Sequence, residues 1–171
     1  DKKRRSMDGA SVASMDHRRV PFKSEKWPGS VHGAVEIRRL AEALRVMEDV
    51  ARYTLDREDL VSALKSMRHE IRTLSGRWPE GWSTAHRDVP GDVGTEVSTP
   101  DETRRSGVWD VAVAAGHRAA EALRTLEEIT KIFDQSAAAR CETLRYRLYG
   151  LDQQLQAALG SRRRRQWNRK H

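Results

Sequence analysis

Two stretches of this chain repeat one pattern of arginine and glutamate. Residues 39–52 read RLAEALRVMEDVAR and residues 118–131 read RAAEALRTLEEITK, so Arg39, Glu42, Arg45 and Glu48 return as Arg118, Glu121, Arg124 and Glu127 at a constant offset of 79. Arginine presents a planar five-donor fork that suits phosphate or carboxylate, and a glutamate beside it can hold that fork in place. A merely solvated helix face would pair charges three or four residues apart for about 0.2–0.5 kcal/mol each. Lys, Gln or Ser would serve such a face equally well. Return of the same residue types in the same places therefore points to a polar, anion-directed site shared by two helices.

A second chemical group lies between the repeats. Residues 86–95, HRDVPGDVGT, bring together Arg87, Asp88, Asp92 and Thr95 with two glycines. Glycines let the backbone turn its N–H groups towards a ligand, and the aspartates could serve Mg²⁺ or a substrate hydroxyl. It is not a Walker A loop, because no Gly-Lys-Ser/Thr follows. On spacing alone, a well-capped surface loop accounts for it equally well. A di-metal carboxylate bundle would need Glu-x-x-His pairs, and Arg45 and Ala51 stand three residues after Glu42 and Glu48.

Helices must position these groups. At 100° per residue, Ile37, Leu40, Ala43, Leu44, Met47, Val50, Ala51 and Leu55 fall on one arc, Arg39, Glu42 and Arg45 on the other, and Glu48 at the seam. A second block follows each copy: residues 64–74, LKSMRHEIRTL, resemble residues 141–151, CETLRYRLYGL, at an offset of 77, which makes Arg145 the mate of Arg68. A two-helix unit thus occurs twice, with two residues lost inside the second copy. The pattern predicts helices over about 31–54, 57–75, 107–133 and 137–159. Asp56, Thr103 or Ser106, and Ser136 are the expected N-caps, and Gly76 and Gly160 the expected stops. No stretch alternates as a strand would. The expected fold is all-α, with two αα-hairpins (31–75 and 107–159) related by an approximate two-fold axis and joined by a long loop, 76–106, anchored by Trp78 and Trp82. In that arrangement helices one and three meet, their Arg and Glu residues line a common cleft, and the loop forms its lid.

The net charge of +7 is concentrated at the ends. Residues 1–28 carry eight Lys and Arg against four acids, and residues 160–171 carry six against none, which leaves 18 basic and 21 acidic residues between them. A nucleic-acid-binding fold carries its basic surface on the folded part, so only weak polyanion binding through the ends is expected. Residues 1–30 and 160–171 lack any apolar period and read as flexible basic tails. The single cysteine, Cys141, excludes an internal disulfide and reads as a small core residue. No apolar run is long enough to span a membrane and the first residues are not signal-like, so a cytoplasmic location is expected.

With AEALRVMEDVAR, HRDVPGDVGTEVSTPDETRR, RAAEALRTLEEI and LRYRLYGL in view, residues 34–155 resemble a known family. This is the helical domain found at the N-terminus of some bacterial thiamine-phosphate synthases, also associated with a proposed alternative hydroxymethylpyrimidine-phosphate kinase. The resemblance implies a place in thiamine biosynthesis and a phosphorylated pyrimidine as ligand. It implies either phosphotransfer with Mg²⁺ and ATP or a non-catalytic module that binds a metabolite or docks on a synthase barrel. The residues carried over are Arg39, Glu42, Arg45, Glu48, Arg87, Thr95, Arg118, Glu121, Arg124 and Glu127 for substrate and phosphate. Asp88 and Asp92 are carried over as catalytic, with Asp92 also for metal, while Glu42 and Glu121 are expected to fix the arginine forks. The chain begins at Asp1 and stops at His171 without the barrel, so it reads as a fragment or processed form, and synthase activity belongs to another chain or a missing portion.

Overall fold

The computed structural model describes residues 28–76 and 104–170. They form four helices: α1 (Pro28–Asp49), α2 (Glu58–Ser75), α3 (Val108–Thr130) and α4 (Gln135–Lys170). Among the described residues there is no strand. Leucine and alanine at three- and four-residue spacing give each helix an apolar stripe, and these stripes form one core. Leu40, Leu44, Met47, Leu60, Leu64, Met67, Ile71, Leu123, Leu126, Leu144, Leu148 and Leu155 are fully enclosed. Burying a side chain of this size is worth about 1.5–3 kcal/mol. Apart from the partly buried Ile37 and Leu55, the apolar arc expected for the first helix is buried.

Each hairpin packs on itself, α1 against α2 and α3 against α4. The hairpins join mainly through α1 and α3, and more lightly through α2 and α4. Four such contacts close a ring in which the α1–α2 and α3–α4 edges lie on opposite sides. Glu70 of α2 accepts from Arg147 of α4 at 2.9 Å and also pairs with Arg140. Glu70 and Arg147 are themselves repeat mates. Close approach within the second hairpin depends on Gly116, because a Cβ there would come within 2.8 Å of the Asp152 Cγ.

The turns depart from the expected caps. α1 takes in residues 28–30, assigned above to the basic segment, and continues into a π-helical turn, Val50–Leu55. Asp56 does not cap α2. It adopts the left-handed conformation (φ 54°, ψ 48°) and ends the π turn, with the Arg57 N–H bonded to the Ala51 carbonyl at 3.0 Å. An N-cap needs an extended backbone, whereas aspartate tolerates the left-handed region better than most residues. Asp59 closes no capping box, since both its oxygens accept from Arg57, which holds its carboxyl down at about 2.

In the second hairpin Asp134, not Ser136, caps α4, accepting from the Ala137 N–H at 3.0 Å. Gly107 precedes α3, and Ser106 donates from its backbone N–H and hydroxyl to Asp110 instead of capping with its own oxygen. Gly76 does end α2. Gly160 does not end α4, which runs on through the arginines to Lys170. Arginine is a good helix former and a single glycine costs only about 1 kcal/mol. Gly160 packs against the Trp109 ring, and Arg162 donates to the Thr54 carbonyl of the π turn, which ties the extension to the body.

Candidate functional site

Both copies of the repeat build one arrangement, an Arg–Glu–Arg cluster bridging the two helices of a hairpin. On α1, Glu48 stands at the seam of the apolar arc and is only 3% exposed. Its Oε1 accepts from Arg45 Nη1 at 3.1 Å, and its Oε2 accepts from Arg68 Nε and Nη2 of α2 at 3.2 and 3.1 Å. On α3, Glu127 is equally enclosed; its Oε1 accepts from Arg124 Nη1 at 2.7 Å and its Oε2 from Arg145 Nε of α4 at 3.0 Å. Arg68 and Arg145 are buried, so each glutamate turns one oxygen inward and one outward. The outer arginines stay about half exposed and are steadied by a further acid. Arg45 lies 3.4 Å from Asp49, and Arg124 2.7 Å from Glu128.

Burial of a carboxylate is tolerable only when it is paired and hydrogen-bonded. The inner arginine meets that need, and the outer one, steadied by a second acid, is a half-exposed cation whose direction is set. Such a pre-positioned, half-exposed planar fork suits recognition of a carboxylate or a phosphate.

The α3–α4 edge carries additional groups. Arg145 Nη1 donates to the Tyr149 hydroxyl at 3.3 Å. This bond and the one to Glu127 hold the guanidinium above its ordinary range, against the opposing effect of burial. Lys131 reaches Glu128 at 2.8 Å and Glu127 at 3.5 Å and is raised by the Glu128 bond, while Glu128 is lowered by the same bond. The equivalent of Lys131 is Arg52, which lies over the Tyr53 ring instead, 5.0 Å from its centroid. Cys141 is free and enclosed beneath this edge, and burial pushes its thiol up to about 12.

Of the residues singled out in the sequence, the structure joins Arg45 to Glu48 and Arg124 to Glu127. It does not gather these two pairs into one cleft. One bridges the α1–α2 edge and the other the α3–α4 edge, on opposite sides of the ring, because each glutamate points at its own hairpin partner. Arg39 bonds Glu36 at 2.9 Å, while Glu42, Arg118 and Glu121 are exposed. Glu48 and Glu127, with Asp49 and Glu128, fix the arginine forks in place of Glu42 and Glu121. Arg87, Asp88, Asp92 and Thr95 lie outside the described residues, as do Trp78 and Trp82. Arg68 and Arg145 were missed as site residues, although their offset of 77 was visible; a charge recurring beside an apolar stripe was the available signal. Among the described residues no group of three His, Cys, Asp or Glu side chains converges on a metal position, and no helix is long and apolar enough to cross a membrane.

Residues 34–154 match the model of the ThiD2 family. The chain belongs to the ThiD2 family. Proteins described as thiamine-phosphate synthases are similar to it. That of Rhodopirellula baltica is 39% identical over 129 residues, covering 74% of this chain and 34% of that protein. That of Nostoc punctiforme is 36% identical over 117 residues, covering 68% and 32%. The Synechocystis protein is 36% identical over 126 residues, covering 74% and 35%. This ThiD2 chain thus spans about a third of the length of the curated relatives it matches. No solved structure matches it.

Proposed function

We propose that this chain acts in thiamine biosynthesis, binding a phosphorylated pyrimidine and phosphorylating hydroxymethylpyrimidine phosphate with a nucleotide. The observation that carries the reading is the pair of half-exposed arginine forks, Arg45 and Arg124, each held by an enclosed glutamate. Phosphoryl transfer is mostly positioning and neutralisation of charge, and a pre-set fork supplies both. Membership in the ThiD2 family and similarity to proteins described as thiamine-phosphate synthases support the pathway.

The carboxylates of the clusters are committed to arginines, so they are poor candidates for Mg²⁺. Asp88 and Asp92 are by residue type the better donors and would hold the metal, which would supply charge neutralisation on the nucleotide phosphates. This chain's own part is to seat the phosphate on a fork and to keep that fork from collapsing.

A second reading, a non-catalytic metabolite-binding or docking module of a synthase, is supported by the similarity to proteins described as thiamine-phosphate synthases. Titration calorimetry with hydroxymethylpyrimidine phosphate, with and without Mg-ATP, together with a product assay, separates the two. Binding with turnover to the diphosphate supports the kinase. Binding without turnover supports the module, and absence of binding overturns the pyrimidine reading.

A further inference from the structure

The two clusters share their charges, but among the described residues only the inner arginine of the α3–α4 cluster, Arg145, lies over aromatic rings. Resting on the reading above, we infer that the ring of the phosphorylated ligand is held at the α3–α4 edge, against Tyr146 and Tyr149, with Arg124 taking its phosphate. The two tyrosine rings meet edge to face, 6.1 Å apart at 81°. The guanidinium of Arg145 lies over both, 4.8 Å from the Tyr146 centroid and 5.8 Å from that of Tyr149. A cation enclosed in the Glu127 cluster thus sets the orientation of two rings that remain 61% and 46% exposed.

Two adjacent exposed aromatic rings form an apolar patch of the kind that marks a place where a ligand binds. A planar heterocycle suits rings already fixed in place, since little side-chain freedom is lost on binding. At the other edge the equivalent positions are His69 and Arg72, which offer no such pair of rings.

Charge points the same way. The bonded network at the α3–α4 edge contains Arg124, Lys131 and Arg145 against Glu127 and Glu128, one cation in excess. That at the α1–α2 edge balances Arg45 and Arg68 against Glu48 and Asp49, with Arg72 outside it. Arg124 connects to the rings through Glu127 and Arg145, so phosphate and ring contacts belong to one rigid unit.

The test is calorimetric titration of the full chain with hydroxymethylpyrimidine phosphate and, separately, with inorganic phosphate. The double variant Tyr146→Ser/Tyr149→Ser should bind the pyrimidine phosphate at least about tenfold more weakly, the scale of a base stacking on an aromatic side chain, while inorganic phosphate binds as before. Tyr146→Phe, which keeps the ring and leaves the Tyr149 hydroxyl on Arg145, should keep the parent affinity, Arg124→Ala should weaken both ligands, and His69→Ser/Arg72→Ser should weaken neither. If the double serine variant does not fold, judged by its thermal transition, Tyr146→Ser alone at the more exposed ring replaces it. Parent-like affinity in the folded serine variant, loss of affinity in the His69/Arg72 variant, or loss of affinity in Tyr146→Phe overturns the ring site while leaving the pyrimidine reading intact. A parent chain that does not bind the pyrimidine phosphate overturns both.

Discussion

The α1–α2 and α3–α4 edges carry the same Arg–Glu–Arg cluster and differ in almost everything around it. Beneath the first lie Leu60 and Leu64, and beneath the second their mates Ala137 and Cys141. The first hairpin turns through a π-helical segment that swings Arg52 onto Tyr53. The second is two residues shorter and brings Lys131 into the cluster, while Tyr146 and Tyr149 replace His69 and Arg72. The shared cluster is thus the means by which either hairpin buries a carboxylate, and the differing rim is where one edge can acquire a ligand preference.

The largest effect should come from breaking a cluster at its centre. Removing one member of a buried pair leaves an uncompensated charge and costs about 3–5 kcal/mol, so Glu48→Ala should lower the unfolding free energy by that amount in denaturant titrations. Glu127→Ala should cost less, because Arg145 retains the Tyr149 hydroxyl as an acceptor. Equal losses would show that the tyrosine takes no share in the cluster.

Core substitutions should follow the residue sizes. Leu64→Ala should cost about 2–5 kcal/mol by leaving a cavity, and Cys141→Ala distinctly less, since fewer atoms are removed. The thiol adds a pH signature absent from the first edge. Its folded value, about 12, lies above the ordinary 9.0 because burial disfavours the thiolate. The folded state therefore holds the proton more tightly, and stability should fall as pH rises from about 9 towards 12. Cys141→Ala should flatten that slope, and the parent thiol should resist alkylation at pH 8 until the chain unfolds.

The smallest effect concerns the fit of α3 on α4. Gly116→Ala would drive a methyl group against the Asp152 carboxylate and should cost about 1–3 kcal/mol. The first copy has Ile37 and Ser75 at these positions, so Gly116→Ala combined with Asp152→Ala should recover most of the loss. An uncompensated double variant would place the strain in the backbone instead.

The four helices, the buried arc of α1 and the burial of Cys141 were legible in the sequence because apolar spacing at the helical period needs only local geometry. The equivalence of the two clusters was legible for the same reason, since the recurring offsets of 79 and 77 already paired Glu48 with Glu127 and Arg68 with Arg145. The caps were less so: Asp56 and Ser136 are sound cap residues by type, yet the backbone angle at the π turn and the reach of Asp134 decided which side chains served. Gly160 misled because a glycine marks a stop only when the chain has reason to leave the helix, and here Trp109 and the Thr54 carbonyl keep it there.

By itself, then, the sequence determined which residues are alike and which faces are apolar, both consequences of helical periodicity. Only the tertiary structure decided where those likenesses point. Each glutamate bonds the arginine of its own hairpin, because a buried carboxylate must take the nearest donor that burial leaves unsolvated. Hairpin packing then puts the two clusters on opposite edges, and no spacing along the chain carries that information.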